Sequence, residues 1–196
     1  MALRHAVLAA LLDGEASGYQ LAKAFDLGVA NFWHALPQQL YLELAKLEKA
    51  GLVEGRHVVQ QSRPPKRLFT ITEEGLRELA RFAEAAVKPS FIRDDLMVKV
   101  QAADSAPIGP VVEQLDERAA MAAAKTDIFE RFLRRLRGDL DEETYLATAD
   151  RVGPYLTCLR GLRFEQETAA WCARTAAVLR ARQPRPAEGG PRRRDT

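Results

Sequence analysis

The chain has 196 residues, 47% of them hydrophobic, and a formal charge of +2, enough length for one large domain or two small ones and ample apolar content for a buried core. From Arg174 onward seven arginines face only Glu188 and Asp195, so everything before them sums to −3. A uniformly basic body is thereby excluded, and any contact with nucleic acid must rest on local clusters.

At the N-terminus the apolar run Ala6 to Leu12 is closed by Asp13, well short of a signal peptide or a membrane span. The expectation is a cytoplasmic protein with no membrane partner. Leu3, Val7, Leu8, Leu11 and Leu12 fall at helical spacing and predict a first helix, ended by "DGEASG". Ser17 is placed to cap a second helix through Tyr19, Leu21, Ala22 and Phe25, and Pro37 suits the first turn of a third. Leu40, Leu44 and Leu47 form the inward stripe of that third helix until Gly51 ends it, which turns Gln38 and Gln39 outward. "LVEGRHVVQ" and "RLFTIT" then read as a hairpin whose turn is marked by Pro64 and Pro65. Thr72 caps a fourth helix, with Glu73 and Glu74 favourably placed in its first turn. Helix, helix, helix, hairpin, helix is the order of a winged helix-turn-helix.

The hairpin carries the local charge. Arg56, Arg63, Lys66 and Arg67 fall within residues 56–67 with no acid among them. On a wing beside a recognition helix they would reach phosphates or the minor groove; otherwise they are a solvated turn. Gln38 and Gln39 have the donors and acceptors to read adenine edges, against a plain exposed first turn. Tyr41 either lends its hydroxyl to a phosphate or packs beside Leu44.

"VKPSFIRDD" reads as a hinge. Beyond it, Val112, Ala119, Thr126 and Leu133 form one heptad row and Leu115, Ala122, Phe129 and Leu136 the next, on a helix of about 45 Å. "GDLDEE" breaks it. A second long helix is expected to about Ala181, with Tyr145, Ala149, Val152, Leu156, Leu159 and Leu162 inward and a kink at Pro154. The spacing of Cys158 and Cys172 on that helix, a rise of about 21 Å, rules out a disulfide between them. His5, His34 and His57 share no ligand spacing with the cysteines, and no catalytic triad or glycine-rich phosphate loop is visible. Neither metal, cofactor nor enzymatic activity is expected. "QPRPAEGGPRRRDT" has the composition of a disordered tail.

Several segments together resemble the PadR family of bacterial transcriptional regulators. They are "LRHAVLAALLDGEASGYQLAKAF", "QQLYLELAKLEKAGLV" and "SRPPKRLFTITEEG" in order, then "PSFIRDDLMVKV" with the pair of long helices, similar to the family's virulence-activator-type dimerisation region. The resemblance implies a homodimeric repressor of a roughly palindromic operator, released in some members by a small molecule. It also implies that Tyr19, Gln20, Gln38, Gln39, Tyr41, Arg63, Lys66 and Arg67 contact double-stranded DNA. The chain departs from the family pattern at Leu36, where many members have a capping Ser, and at Leu42 and Ala45, where basic residues are common.

The expected fold is therefore mainly α with a small β-hairpin wing: a winged helix-turn-helix over residues 1–88, a dimerisation domain of long antiparallel helices over 89–182, and a disordered basic tail over 183–196. Val112, Leu115, Ala119, Ala122, Phe129, Leu133 and Leu136, with Leu159 and Leu162, are expected in the dimer seam. Trp33, Tyr155, Phe164 and Trp171 either line a pocket for a small aromatic or hydrophobic effector or are core aromatics. The rival function is a protein-interaction adaptor that has lost DNA binding, to which Leu42 and Ala45 point.

Overall fold

Helix α1 (Ala2–Ala10) buries Val7 and Leu8 and passes into a 3-10 turn, Leu11–Asp13, that buries Leu11. Strand β1 (Ala16–Ser17), helices α2 (Gly18–Leu27) and α3 (Pro37–Lys49), strands β2 (Val53–Val58) and β3 (Lys66–Ile71) and helix α4 (Glu73–Glu84) follow in the computed structural model, which describes residues 2–27, 35–59, 66–87 and 93–182. This is the winged helix-turn-helix order. Trp33, Arg63, the Pro64–Pro65 turn, most of the expected hinge and the arginine tail lie outside the described residues.

Each boundary has a local cause. Ser17 Oγ accepts the Gln20 N–H at 3.2 Å while Gln20 Oε1 accepts the Ser17 N–H at 2.9 Å, a capping box for α2. Gly51, at φ 71°, closes α3: its N–H reaches the Glu48 carbonyl and the Leu52 N–H reaches the Leu47 carbonyl, both at 2.9 Å. Thr72 Oγ1 accepts the Gly75 N–H at 3.1 Å to start α4, and its hydroxyl donates to the Gly51 carbonyl at 2.8 Å.

In the sheet, β3 is central. It pairs antiparallel with β2 from Val53↔Ile71 to Val58↔Lys66, and on its other edge with β1 through Ala16↔Phe69 and Ser17↔Leu68. Two residues are too short for any alternation to show, which is why β1 was not anticipated. Leu8, Leu11, Leu21, Phe25, Leu40, Leu44, Leu47 and Phe69 form one buried cluster beneath these elements.

Beyond α4 come α5 (Asp95–Gln101), α6 (Ile108–Arg137), α7 (Glu142–Thr148) and α8 (Gly153–Arg182). The chain divides into two units, residues 1–90 with 132–161 and residues 91–131 with 162–196, and the division cuts both long helices. Part of the expected hinge is itself helical: Asp94 accepts the Leu96 N–H at 3.0 Å and so caps α5.

The single kinked helix expected after "GDLDEE" is instead two. Ala149 is extended at ψ 136°, and Pro154, which lacks an N–H, lies in the first turn of α8, where none is needed. The break resets the helical phase, so Tyr155, Cys158 and Leu162 are buried while Leu156 is exposed. Within the first unit, the Tyr145 and Tyr155 rings lie 4.9 Å apart, and Arg151 Nη1 donates to the Leu12 carbonyl at 2.6 Å and pairs with Asp13 at 2.8 Å.

Within the second unit α6 and α8 run antiparallel, tied by Asp116 to Arg180 and by Lys125 to Glu165 at 2.9 Å. Val112 and Leu115 share a buried cluster with Cys172, Ala176 and Leu179 of the same chain, and Ala119 packs against it. Ala122, Phe129, Leu133 and Leu162 are buried too, and Leu136 and Leu159 are half-buried. Val112, Leu115 and Ala119, one end of the rows assigned to a partner helix, are thus covered by α8 of the same chain.

Candidate nucleic-acid interface and ligand cavity

Because Leu40, Leu44 and Leu47 turn inward, the opposite face of α3 presents Gln38, Tyr41, Leu42 and Ala45 to solvent. Tyr19, 72% exposed, and Gln20 stand at the start of α2. These two helix starts form one surface: a Cβ built on Gly18 would come 2.2 Å from Tyr41 Cε1, so the Tyr41 ring lies directly on the Gly18 backbone. Tyr41 therefore packs on Gly18, and half of it remains exposed.

The glutamines differ in what they can offer. Leu36, at the N-cap of α3, has no side-chain acceptor, and its own N–H is taken by Gln39 Oε1 at 2.9 Å. Gln20 Oε1 is likewise engaged by Ser17. Gln38 is exposed and has no hydrogen-bond partner among the described residues.

Folding neutralises part of the basic cluster. Arg56 forms a two-pronged pair with Glu15, at 3.0 Å from Nε and 2.6 Å from Nη2. Arg67 Nη2 lies 2.5 Å from Glu48 Oε1 on α3, and its guanidinium carbon is 5.4 Å from the centre of the Phe69 ring. Lys66 has no partner among the described residues. The acids that meet Arg56 and Arg67 lie 41 and 19 residues away, so the acid-free window 56–67 overstated the free charge.

Of the candidate aromatics, Trp33 lies outside the described residues, and Phe164 and Trp171 share a cavity. Tyr155 is fully buried in the first unit and donates its hydroxyl to Glu142 at 2.7 Å; burial and then Glu142 raise its pKa. In the second unit Phe164 and Trp171 line a cavity of about 650 Å³, completed by Leu96, Met97 and Val98 of α5 and by Arg118, which holds Asp94 at 3.0 Å. Cys172, also on its wall, is held protonated by burial, and the same cause pushes Cys158 up to about 11. The α5 wall was missed in the sequence because "IRDDLMVKV" is too short to declare a helix; Asp94 as N-cap was the available signal.

Comparison with known proteins agrees with this architecture. Residues 7–81 match the family described as "Transcriptional regulator PadR-like family", and residues 92–180 match "Virulence activator alpha C-term". A probable transcriptional regulator of Mycobacterium tuberculosis is 28% identical over 93% of this chain and 100% of its own. The negative transcriptional regulator PadR of Bacillus subtilis is 25% identical over 90% of this chain and 97% of its own. Among solved structures, Bacillus subtilis PadR in complex with operator DNA superposes with a TM-score of 0.72 at 24% identity, covering 91% of this chain and 99% of that one. The Vibrio cholerae virulence activator AphA gives 0.66 at 25% identity, over 92% and 99%. The same Bacillus subtilis protein with p-coumaric acid gives 0.67 at 24% identity, over 91% and 96%. With a winged helix-turn-helix, long C-terminal helices and both family matches in sequence order, the chain belongs to the PadR-like family of transcriptional regulators, which are not enzymes.

Proposed function

We propose that this regulator is a cytoplasmic homodimeric repressor that grips a roughly palindromic operator through α3 and the wing and lets go when a small aromatic or hydrophobic molecule binds. The observation that carries the DNA reading is the outer face of α2 and α3, where Tyr19, Gln38 and Tyr41 stand exposed on one surface. Exposed polar side chains on a helix backed by a rigid core suit entry into a major groove. Lys66 and Arg63 supply the phosphate contacts. A relative solved with operator DNA supports the same use of the fold.

Since α8 already covers the row through Leu115, the seam is assigned to the apolar residues left exposed at heptad spacing: Met121 and Ile128 on α6, Phe164 and Val178 on α8. The cavity beside Trp171 is the effector site, and the relative solved with p-coumaric acid supports a small aromatic ligand. Leu36 and Leu42, 56% and 63% exposed, favour the adaptor reading instead, since apolar surface suits a protein partner.

A gel shift and footprint on the DNA upstream of the coding region tests the choice. A protected inverted repeat, lost when an aromatic acid quenches Trp171 fluorescence, is the expected result. No complex beyond that on random DNA would leave the adaptor.

A further inference from the structure

We propose that Leu42 is a specificity-determining residue that reads the 5-methyl group of a thymine in the major groove. The proposal deepens the DNA-binding reading above and rests on it. It begins with the direction in which Leu42 points. Leu40, Leu44 and Leu47 fix the inward side of α3, and at about 3.6 residues per turn position 42 stands almost diametrically opposite that stripe. Leu42 is accordingly 63% exposed. Gln38 lies one turn before it on the same outward stripe, with Ala45 and Lys49 one and two turns beyond, and all three are exposed. The charges around it say which partner suits it. Every exposed residue of α3 is neutral or basic: Glu43 and Glu48 are half-buried, and each meets a cation, Lys46 at 3.6 Å and Arg67 at 2.5 Å. An acid-free face with lysines towards its far end is matched to a polyanion.

What a leucine does in a major groove follows from the base edges. Guanine, cytosine and adenine present hydrogen-bond donors and acceptors there, and thymine alone adds an apolar group, its 5-methyl. Set against the first three, Leu42 strips water from polar atoms and returns no hydrogen bond, which is unfavourable. Set against the thymine methyl, it removes apolar surface from water on both sides, a gain of about four-fold in affinity for one methyl. Both terms favour a thymine at the position Leu42 covers. Ala45, on the same stripe, is small enough to let the helix come close to the base edges. Four residues of helix rise about 6 Å, the span of about two base pairs, so this thymine lies within about two base pairs of any base that Gln38 contacts.

The test starts from the site that the full-length protein selects out of random duplex DNA. Each thymine of that site is replaced in turn by deoxyuridine, which lacks only the 5-methyl, and binding is measured for the parent and for Leu42→Ala. Because Leu42 is exposed, the variant should keep the parent's melting midpoint. We expect at least one thymine at which deoxyuridine weakens the parent about four-fold, while Leu42→Ala binds the thymine and deoxyuridine duplexes equally. Cytosine at that position should bind the parent more weakly still. 5-Methylcytosine, which carries a methyl at the same place in the groove, should recover part of that loss for the parent and none for Leu42→Ala. A selected site at which no deoxyuridine weakens the parent would overturn the proposal, and so would a Leu42→Ala variant that keeps the parent's response to every replacement. In either case sequence-specific binding stands and only the role of Leu42 falls, which returns it to a surface for a protein partner. If the parent enriches no sequence at all, the DNA-binding reading falls first and this one with it.

Discussion

In the winged part of the molecule the chemistry that ends each helix lies within a few residues of that end: Ser17 with Gln20, Gly51 with Glu48, Thr72 with Gly75. In the long-helix part the chemistry that matters joins residues far apart. Leu115 is buried with Ala176, and Asp116 pairs with Arg180. The difference teaches what a pattern of residues can carry. A cap or a glycine states its own partner, whereas an apolar row states only that a partner exists. For α6 that partner is the chain's own α8.

The largest expected effect tests that assignment. Leu115 is fully buried, so Leu115→Ala should lower stability by about 2–5 kcal/mol, read as a shift of the urea midpoint, while sedimentation shows an unchanged oligomeric state. A variant that keeps its midpoint but loses its partner would return the row to an interface between chains.

Next in size is Gly18→Ala. A methyl there would sit 2.2 Å from the Tyr41 ring, and forcing that ring aside should cost about 1–3 kcal/mol. In a Tyr41→Ala background the same substitution should cost much less, and a thermal double-mutant cycle measures the coupling. An equal cost in both backgrounds would mean that Gly18 is needed for its backbone alone.

Both variants mark where legibility stopped. The three short helices, the hairpin, the fourth helix and the caps at Ser17, Gly51 and Thr72 were readable because each is fixed by residues near in sequence. The Gly18–Tyr41 contact, the two-residue β1 and the pairs Arg56–Glu15 and Arg67–Glu48 were not, because each needs the tertiary fold to bring its halves together. Helix α5 and the break before Pro154 were local, yet short apolar stretches do not separate one helix from two. For the candidate site, the outward face of α3 was legible from its leucine stripe. That Gln39 caps its own helix was half-legible: the missing Ser at position 36 was visible, but not what replaces it.

That replacement gives a smaller, stabilising effect. Leu36→Ser restores an acceptor at the N-cap and removes an exposed apolar side chain, so the melting midpoint should rise by the equivalent of about 0.5–1 kcal/mol. Such a gain sharpens the comparison, since a purely local substitution then acts locally, as the chemistry of the winged part demands. An unchanged midpoint would show that the Gln39 N–H, already bound to the Leu36 carbonyl at 2.9 Å, gains nothing from a Ser hydroxyl.

The smallest expected change in stability belongs to Arg67, and it asks whether a local charge cluster is as free as it looks in the sequence. Its guanidinium sits 2.5 Å from Glu48 and over the Phe69 ring, with both partners of the pair partly exposed, so Arg67→Ala should cost only about 0.2–1 kcal/mol. Its charge is already matched, so removing it should leave the slope of log affinity against log salt nearly as it was, whereas Arg63→Ala and Lys66→Ala should each flatten that slope by up to about 0.9. The reverse experiment discriminates better. Glu48→Gln keeps an oxygen for the Gly55 N–H, which Glu48 now accepts at 3.2 Å, and removes the charge that holds Arg67. The freed guanidinium can then reach a phosphate, so affinity should rise at low salt and the slope should steepen by up to about 0.9. If Glu48→Gln changes neither, while Arg67→Ala flattens the slope as much as Lys66→Ala does, then Arg67 leaves Glu48 for the DNA backbone in the complex and the acid-free window in the sequence was the better guide to the bound state.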